Sequence, residues 1–249
     1  MLKRERQAYI LHQVNLHNRV LSASLSNEIA VSEDTIRRDL MELSDTGQLV
    51  KVHGGALSHS FTNVNRPAEK VYALPEKRII AAKAAALIQN GMFILTGGGT
   101  TIVELAKALT IDLNATFISG SIPAIVEYMH HTNIEVIVLG DKLSKTSQIT
   151  YGADVMEKLK SFTPDMCILG INALDMEHGI TDNDWDVVQL KQHMINSAKK
   201  LVCLTISEKI NTVQPIHVCS TKKIDTLITE LDPNDALLKP FAEAGIKVI

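Results

Sequence analysis

Apolar residues near the start of the chain recur at helical spacing. Ile10 and Val14 stand one turn apart within residues 3–16, with Arg and Gln on the other faces. Leu25 and Ile29 repeat the i, i+4 step within "SASLSNEI", residues 22–29. After a break at Ala30-Val31, Ile36, Leu40 and Leu43 fall at i, i+4 and i+7, the buried stripe of a further helix. Ser32 stands before it as an N-cap, and Glu33 and Asp34 suit the positive end of its dipole. Gly47 closes it. Leu49, Val50 and Val52 suit short strands and lead into Gly54-Gly55, which predicts a β wing. Residues 57–75 contain Pro67 and Pro75, lack sustained periodicity and read as a linker.

Beyond Pro75 the rhythm changes. "EKRIIAAKAAALIQNG" predicts an alanine-rich helix closed by Gly91. Seven short apolar runs follow: "MFIL", "TFIS", "IEVIVLG", "DMCILG", "KLVCLTI", "DTLIT" and "IKVI". Helical patterns separate most of them, among them "TIVELAKAL", "SIPAIVEYMH", "YGADVMEKLKS", "VVQLKQHMINSA" and "DALLKPFAEA". Apolar strands alternating with helices imply a largely parallel sheet covered on both faces. The expected architecture is therefore α/β: a small N-terminal winged helix-turn-helix domain (1–56), the linker (57–75) and a larger α/β domain (76–249) with a mostly parallel sheet.

Composition adds exclusions. No apolar run approaches the roughly 18 residues a membrane helix needs, and "MLKRERQAYILHQ" carries no signal-peptide pattern, so we expect a cytoplasmic protein with no membrane partner. Cys167, Cys203 and Cys219 are widely spaced and read as buried free thiols; no histidine pair has ligand spacing, so no metal and no cofactor are expected. Net charge is −3, and within residues 1–56 seven bases (Lys3, Arg4, Arg6, Arg19, Arg37, Arg38, Lys51) face seven acids (Glu5, Glu28, Glu33, Asp34, Asp39, Glu42, Asp45). Bulk charge thus gives no support for nucleic-acid binding, and the case rests on pattern.

That pattern is the exposed side of the helix after Ser32. At about 100° per residue, Arg38 falls about 200° from Ile36, with Thr35 and Arg37 about 100° to either side. Ser32, Thr35, Arg37 and Arg38 therefore share the side away from the core, where arginine can reach phosphates and base edges in a major groove. His53 and Gly54 in the wing suit phosphate contact. Asp39 reads either as a group orienting one of these arginines or as a solvated charge.

In the second domain, "FILTGGGTTIVELA" joins a strand to a helix through Gly97, Gly98 and Gly99, followed by Thr100 and Thr101. Such a loop turns backbone N–H groups toward an anion at a helix N-terminus, and strand carboxyl ends are where open α/β sheets bind ligands. Gly120, Gly140, Gly170 and Lys209 lie at other strand ends and converge with it only if those strands are neighbours. Taken singly, each glycine also suits a turn or close packing, and Lys209 a surface charge. Asp184 and Asp186 before a helix suit its dipole better than acid–base work; Trp185 between them reads as core or a pocket wall.

The N-terminal pattern resembles the DeoR family of bacterial transcription regulators: Arg6, Ile10 and Val14, a gap of 17 residues, Ser32-x-x-Thr35-Ile36-Arg37-Arg38-Asp39-Leu40, then Leu43, Gly47 and His53-Gly54-Gly55-Ala56. The remainder resembles the family more loosely, at Gly98, Thr100, Gly152, Gly170, Gly179, Thr181, Lys191 and Lys209. The resemblance implies a sugar-phosphate isomerase-like effector domain whose glycine–threonine loop cradles a phosphate. Three positions depart from it: Thr96 replaces the loop's leading Asp, Ser119-Gly120 replaces Thr-Asn, and Ile206 replaces an Asp before the lysine. Ala30 stands where the family often has Gly.

The expected function is a DNA-binding transcriptional regulator, a repressor of a carbohydrate catabolic operon modulated by a phosphorylated sugar metabolite, with no catalytic residues. Its partners would be double-stranded operator DNA, that metabolite and further copies of the chain in a homodimer or larger homo-oligomer. Change in geometry through residues 57–75 would be the switch. The rival is a sugar-phosphate isomerase or transferase with incidental DNA binding, which needs an acid or base beside the loop; the loss of carboxylate at Thr96 counts against it.

Overall fold

The computed structural model describes residues 1–59 and 71–249 and divides the chain into two compact units, 1–72 and 73–249. In the first, α1 (Lys3–His17) is followed by β1 (Arg19–Leu21), α2 (Ser22–Glu28), α3 (Glu33–Asp45), β2 (Val50–Val52) and β3 (Gly55–Leu57). The helical stripes meet as their spacing predicts: Ile10, Val14, Leu25, Ile36, Leu40 and Leu43 form one core with Leu49 and Ala56. Burying each such aliphatic side chain contributes about 1.5–3 kcal/mol. β1 was not legible as a strand in the sequence. It pairs antiparallel with β3, giving the wing three strands in the order β1-β3-β2. Ala30 takes a left-handed conformation at φ 52°, the turn for which the family often uses glycine.

The boundaries of the expected linker shift. β3 reaches Leu57, and Ser58 is buried with its N–H bonded to the Asn18 carbonyl. At the other end α4 (Leu74–Ala85) already contains Pro75, which suits a helix's first turn because no intrahelical acceptor is needed there. Residues 60–70 of that stretch, Pro67 included, lie outside the described residues. α4 also ends before Gly91, its last turn tightening into i→i+3 bonds from Leu87 to Ala84 and from Ile88 to Ala85.

The second unit is built on seven parallel strands, and these are the seven apolar runs of the sequence: β4 (Phe93–Thr96), β5 (Ala115–Ser119), β6 (Ile134–Val138), β9 (Met166–Gly170), β12 (Leu201–Leu204), β14 (Thr226–Ile228) and β15 (Lys247–Val248). Their order is β15-β14-β12-β9-β4-β5-β6. From β4 the chain runs outward through α5 (Thr100–Ala108) and α6 (Ile122–Tyr128) to the β6 edge; from β9 it runs the other way through α8 (Trp185–Ser197) and α9 (Lys239–Glu243) to β15. Right-handed crossovers in opposite directions place these helix pairs on opposite faces. The direction reverses between β4 and β9, the topological switch point of the sheet.

Five short strands escaped the sequence reading. β7 (Lys142–Ser144) and β8 (Ile149–Tyr151) form a hairpin that precedes α7 (Ala153–Leu159), and β10 (Ala173–Asp175), β11 (Gly179–Asp182) and β13 (Ile216–Cys219) form a separate antiparallel sheet. Cys167, Cys203 and Cys219 are buried free thiols as expected, and burial raises the pKa of each. Among the described residues, no helix is long and apolar enough to cross a membrane.

Candidate functional site

Two places in the chain gather the singled-out residues, one in each unit. In the first, Ser32 caps α3: its Oγ accepts from the Thr35 N–H at 3.3 Å and lies 3.0 Å from the Thr35 hydroxyl. Ile36, Leu40 and Leu43 are buried, while Arg37 and Arg38 are exposed on the far side and Thr35 is half-buried. Arg37 is held by its own helix, Nη2 donating to Glu33 at 2.9 Å and Nη1 to Asp34 at 3.2 Å. Surface pairs of this kind are worth only about 0.5 kcal/mol, so they exchange readily for a stronger acceptor. Arg38 has no ion pair among the described residues. His53 and Gly54 are exposed at the wing's turn between β2 and β3.

Asp39 serves neither of the roles expected for it. It is buried, and it accepts from Arg6 of α1 through two contacts, Nε at 2.5 Å and Nη2 at 3.2 Å, with Gln7 adding a third at 3.3 Å. The hydrogen bond to Asp39 raises the Arg6 pKa against the opposing effect of burial. Asp39 thus bolts α3 to α1 and leaves Arg37 and Arg38 to the solvent side. The pairing joins two residues 33 positions apart, which no local pattern reports.

In the second unit, β12, β9, β4 and β5 are consecutive parallel neighbours, so their carboxyl ends line one edge of the sheet. The loop Gly97–Gly99 leaves β4 there. The Gly97 N–H is tied to the Ile168 carbonyl at 3.0 Å, and Gly99 precedes α5 at φ 102°, a conformation that side chains rarely adopt. The Ile102 and Val103 amides of α5 already donate to the Gly99 carbonyl, at 3.1 and 3.2 Å, so the amides of Thr100 and the buried Thr101, which precede the first intrahelical bond, are the ones at the positive end of the helix dipole. Gly98 and Gly170 lie against each other: a Cβ at Gly170 would stand 3.3 Å from the Gly98 carbonyl oxygen. On the other flank, a Cβ at Gly98 would meet Ser121 Oγ at 3.5 Å, next to Gly120. Gly140 is exposed at the end of the edge strand β6 and stands apart from this cluster by sheet order.

Buried lysines complete the edge. Lys191 of α8 donates to the Gly170 carbonyl at 3.1 Å and to Asp182 at 2.7 Å. Asn172 and the Asn183 N–H also donate to Asp182, at 3.1 and 2.8 Å. Burial alone would raise the Asp182 pKa, but the Lys191 charge and these donors hold it below the ordinary carboxylate value. Lys209, in the 3-10 turn Ser207–Lys209 after β12, is buried rather than a surface charge and donates to the Ile171 carbonyl at 3.3 Å. Desolvation first, and then the charges of Lys77 and Lys191, bring its pKa down to about 7. Lys191 enters the sequence reading only through the family resemblance. Lys77 and Asp182 sit in segments without a local motif.

The three departures from the family pattern have structural counterparts. Thr96 is fully buried and accepts from the Tyr128 hydroxyl at 3.2 Å, so its own oxygen is engaged beneath the loop. Gly120 has no room for a side chain, since a Cβ would stand 2.4 Å from Thr150 Oγ1 of the β7–β8 hairpin. Ile206 is buried. Asp184 caps α8 as its position predicts, accepting from the Asp186 and Val187 amides. Trp185 does not belong to the core: it occupies the helix's first position with 61% of its surface exposed, while Val188, Leu190, Met194 and Ile195 are buried.

A winged three-helix unit with a capped, arginine-bearing helix, followed in one chain by a parallel sheet with an amide loop at its switch point, defines a DNA-binding transcriptional regulator with a sensor domain. A model of the DeoR-like helix-turn-helix domain matches residues 6–62, and a model of the DeoR C-terminal sensor domain matches residues 73–231. The chain belongs to the DeoR family. It is 32% identical to the HTH-type transcriptional regulator GolR of Listeria innocua, over 98% of this chain and 97% of that one. It is 30% identical to the HTH-type transcriptional repressor GlcR of Bacillus subtilis, over 100% and 96%, and 25% identical to the glycerol-3-phosphate regulon repressor of Escherichia coli, over 100% and 99%. Among solved structures, ribose 5-phosphate isomerase A of Methanocaldococcus jannaschii aligns with a TM-score of 0.39 and 19% identity, over 54% of this chain and 53% of that one.

Proposed function

We propose that this protein represses a carbohydrate catabolic operon by inserting α3 into the major groove of its operator, and that a phosphorylated sugar metabolite bound at the Gly97–Thr101 loop relieves repression. The observation that carries the reading is the outward face of α3. Its apolar stripe and Asp39 face inward, while Thr35, Arg37 and Arg38 stand on the exposed side of a capped helix. Arg38 is the residue assigned to base reading, since arginine can pair bidentately with guanine. Ser32, Thr35, His53 and Gly54 are assigned to phosphates, which set register without reading sequence. The repressor names of the Bacillus and Escherichia relatives support the direction of regulation.

The effector side rests on the loop amides, Gly120, Gly170 and Lys209 at one sheet edge. Regulation requires that the metabolite bind DNA-competent and DNA-incompetent states with different affinity. Two recognition helices on a pseudo-palindrome call for at least a homodimer. Turnover is not part of the proposal. An isomerase needs an acid or base at the reacting carbon, and the loop's leading position is Thr96, whose oxygen Tyr128 occupies.

The test is selection of duplexes from the source genome by the full chain, followed by titration with Arg38→Ala. Base reading predicts a loss of about 1–3 kcal/mol on the selected duplex and relaxed specificity at one position. A uniform loss across all sequences with a shallower salt slope would assign Arg38 to phosphate instead. No loss at all would contradict the assignment of this face to DNA.

A further inference from the structure

The exposed side chains of α3 are Glu33, Asp34, Arg37, Arg38, Met41, Glu42 and Asp45, and Met41 alone among them is uncharged. It is 49% exposed and stands outside the core that Ile36, Leu40 and Leu43 build. On the helix wheel it falls about 140° from Ile36, between Arg37 at about 100° and Arg38 at about 200°. It therefore shares the face assigned above to DNA. Its surroundings are open. Glu33 and Asp34 draw Arg37 back toward the helix N-terminus, at 2.9 and 3.2 Å. Lys3 at 2.7 Å and Gln7 at 2.8 Å hold Glu42 toward α1. A helical side chain covers the turn before its own Cα, which for Met41 is the turn of Arg37 and Arg38. A single exposed methionine is ordinary on a protein surface. On a face otherwise made of charges, one turn from two arginines, it has a chemical counterpart in the groove.

Resting on the α3 reading above, we propose that Met41 is a specificity residue that packs on the C5-methyl of a thymine beside the base pair read by Arg38. Donors and acceptors line the floor of the major groove, and the thymine methyl is its apolar projection. Against any other base edge the thioether would displace water from polar groups without replacing the lost hydrogen bonds. The spacing fits. Three residues advance a helix by about 4.5 Å, and neighbouring base pairs are about 3.4 Å apart, so side chains at 38 and 41 meet adjacent steps. Methionine is unbranched and polarisable, and it adapts to a methyl group without a fixed hydrogen-bond geometry. One turn further on, the same face presents the exposed Asp45 at about 180° from Ile36. Phosphates repel that acid, so groove contact from α3 ends at Met41. Each half-site should then hold a G·C pair next to an A·T pair.

The test uses the full chain and the duplex it selects, with each thymine exchanged in turn for deoxyuracil, which removes the methyl and nothing else. The parent should lose on the order of fourfold in affinity at one thymine of each half-site. Met41→Ala should bind the thymine and deoxyuracil duplexes equally, and Met41→Leu, which keeps an apolar side chain, should still tell them apart. A merely structural role would lower affinity for both duplexes alike and leave the methyl effect in place. Three results would overturn the assignment: a selected half-site without thymine, deoxyuracil tolerated by the parent at every thymine, or a methyl effect that survives in Met41→Ala. With any of these, a loss of affinity in Arg38→Ala would still keep α3 in the groove. Unchanged affinity in Arg38→Ala as well would overturn the α3 reading and Met41 with it.

Discussion

Thr150 explains why position 120 carries no side chain. Its buried hydroxyl donates to the Leu139 carbonyl at 2.5 Å and occupies the space a Cβ would need. Gly120→Ala should therefore lower the melting temperature, at a cost of about 1–3 kcal/mol. Thr150→Ala in the same chain should recover part of that loss, and a double-mutant cycle measures how much. Additive losses would show that the two positions are not coupled. At this scale the sequence spoke unevenly. Ser32 announced itself as a cap, and Asp184 as an acid at a helix N-terminus, because such chemistry is local, whereas Asp39, Lys209 and Trp185 were misjudged or left open because their environments are assembled from distant segments. Arg6 lies on another helix, the groups around Lys209 come from α4, β11 and α8, and Trp185 follows a cap that turns it outward.

Among elements, α3 is positioned by α1 through the ion pair between Arg6 and Asp39, whose side chains are 12% and 2% exposed. Removing one partner of a buried pair strands the other charge, so Asp39→Ala should destabilise the α1–α3 packing by about 3 kcal/mol. Hydrogen exchange at the α1 and α3 amides reads this directly; unchanged protection would mean that the aliphatic stripe alone holds the helices. The same variant should weaken DNA binding without altering any side chain proposed to face DNA. Elements of high apolar density were legible: all seven parallel strands appeared as apolar runs, the inner ones because they are buried in the sheet, whereas the edge strand β6 carries no buried residue. β1, β7 and β10 were not, since each holds at most two apolar residues and lies outside any apolar run.

For the molecule as a whole, the strand order supplies what the sequence withheld. Gly98, Gly120, Gly170 and Lys209 were separate strand ends until the order β12-β9-β4-β5 made them neighbours at the reversal between β4 and β9. Division of labour between two units then predicts separable defects. Gly98→Leu should spare operator binding while blunting the response to a phosphorylated sugar, measured by titrating the protein–operator complex with candidate metabolites. Loss of both activities together would contradict that separation. The two-unit organisation was legible from the change of rhythm near Pro75, while the identity of the effector is not written in any single motif, because the proposed site draws on four separate segments, around Gly97–Thr101, Gly120, Gly170 and Lys209.

The most direct test of the central claim is the affinity of Arg37→Ala/Arg38→Ala for a duplex that the parent chain selects from its genome, measured beside an unrelated duplex at two salt concentrations. The account predicts that the double variant loses on the order of a hundredfold or more on the selected duplex and much less of its discrimination-free binding to the other. Equal affinity of parent and variant for the selected duplex would show that another surface of the protein holds the DNA.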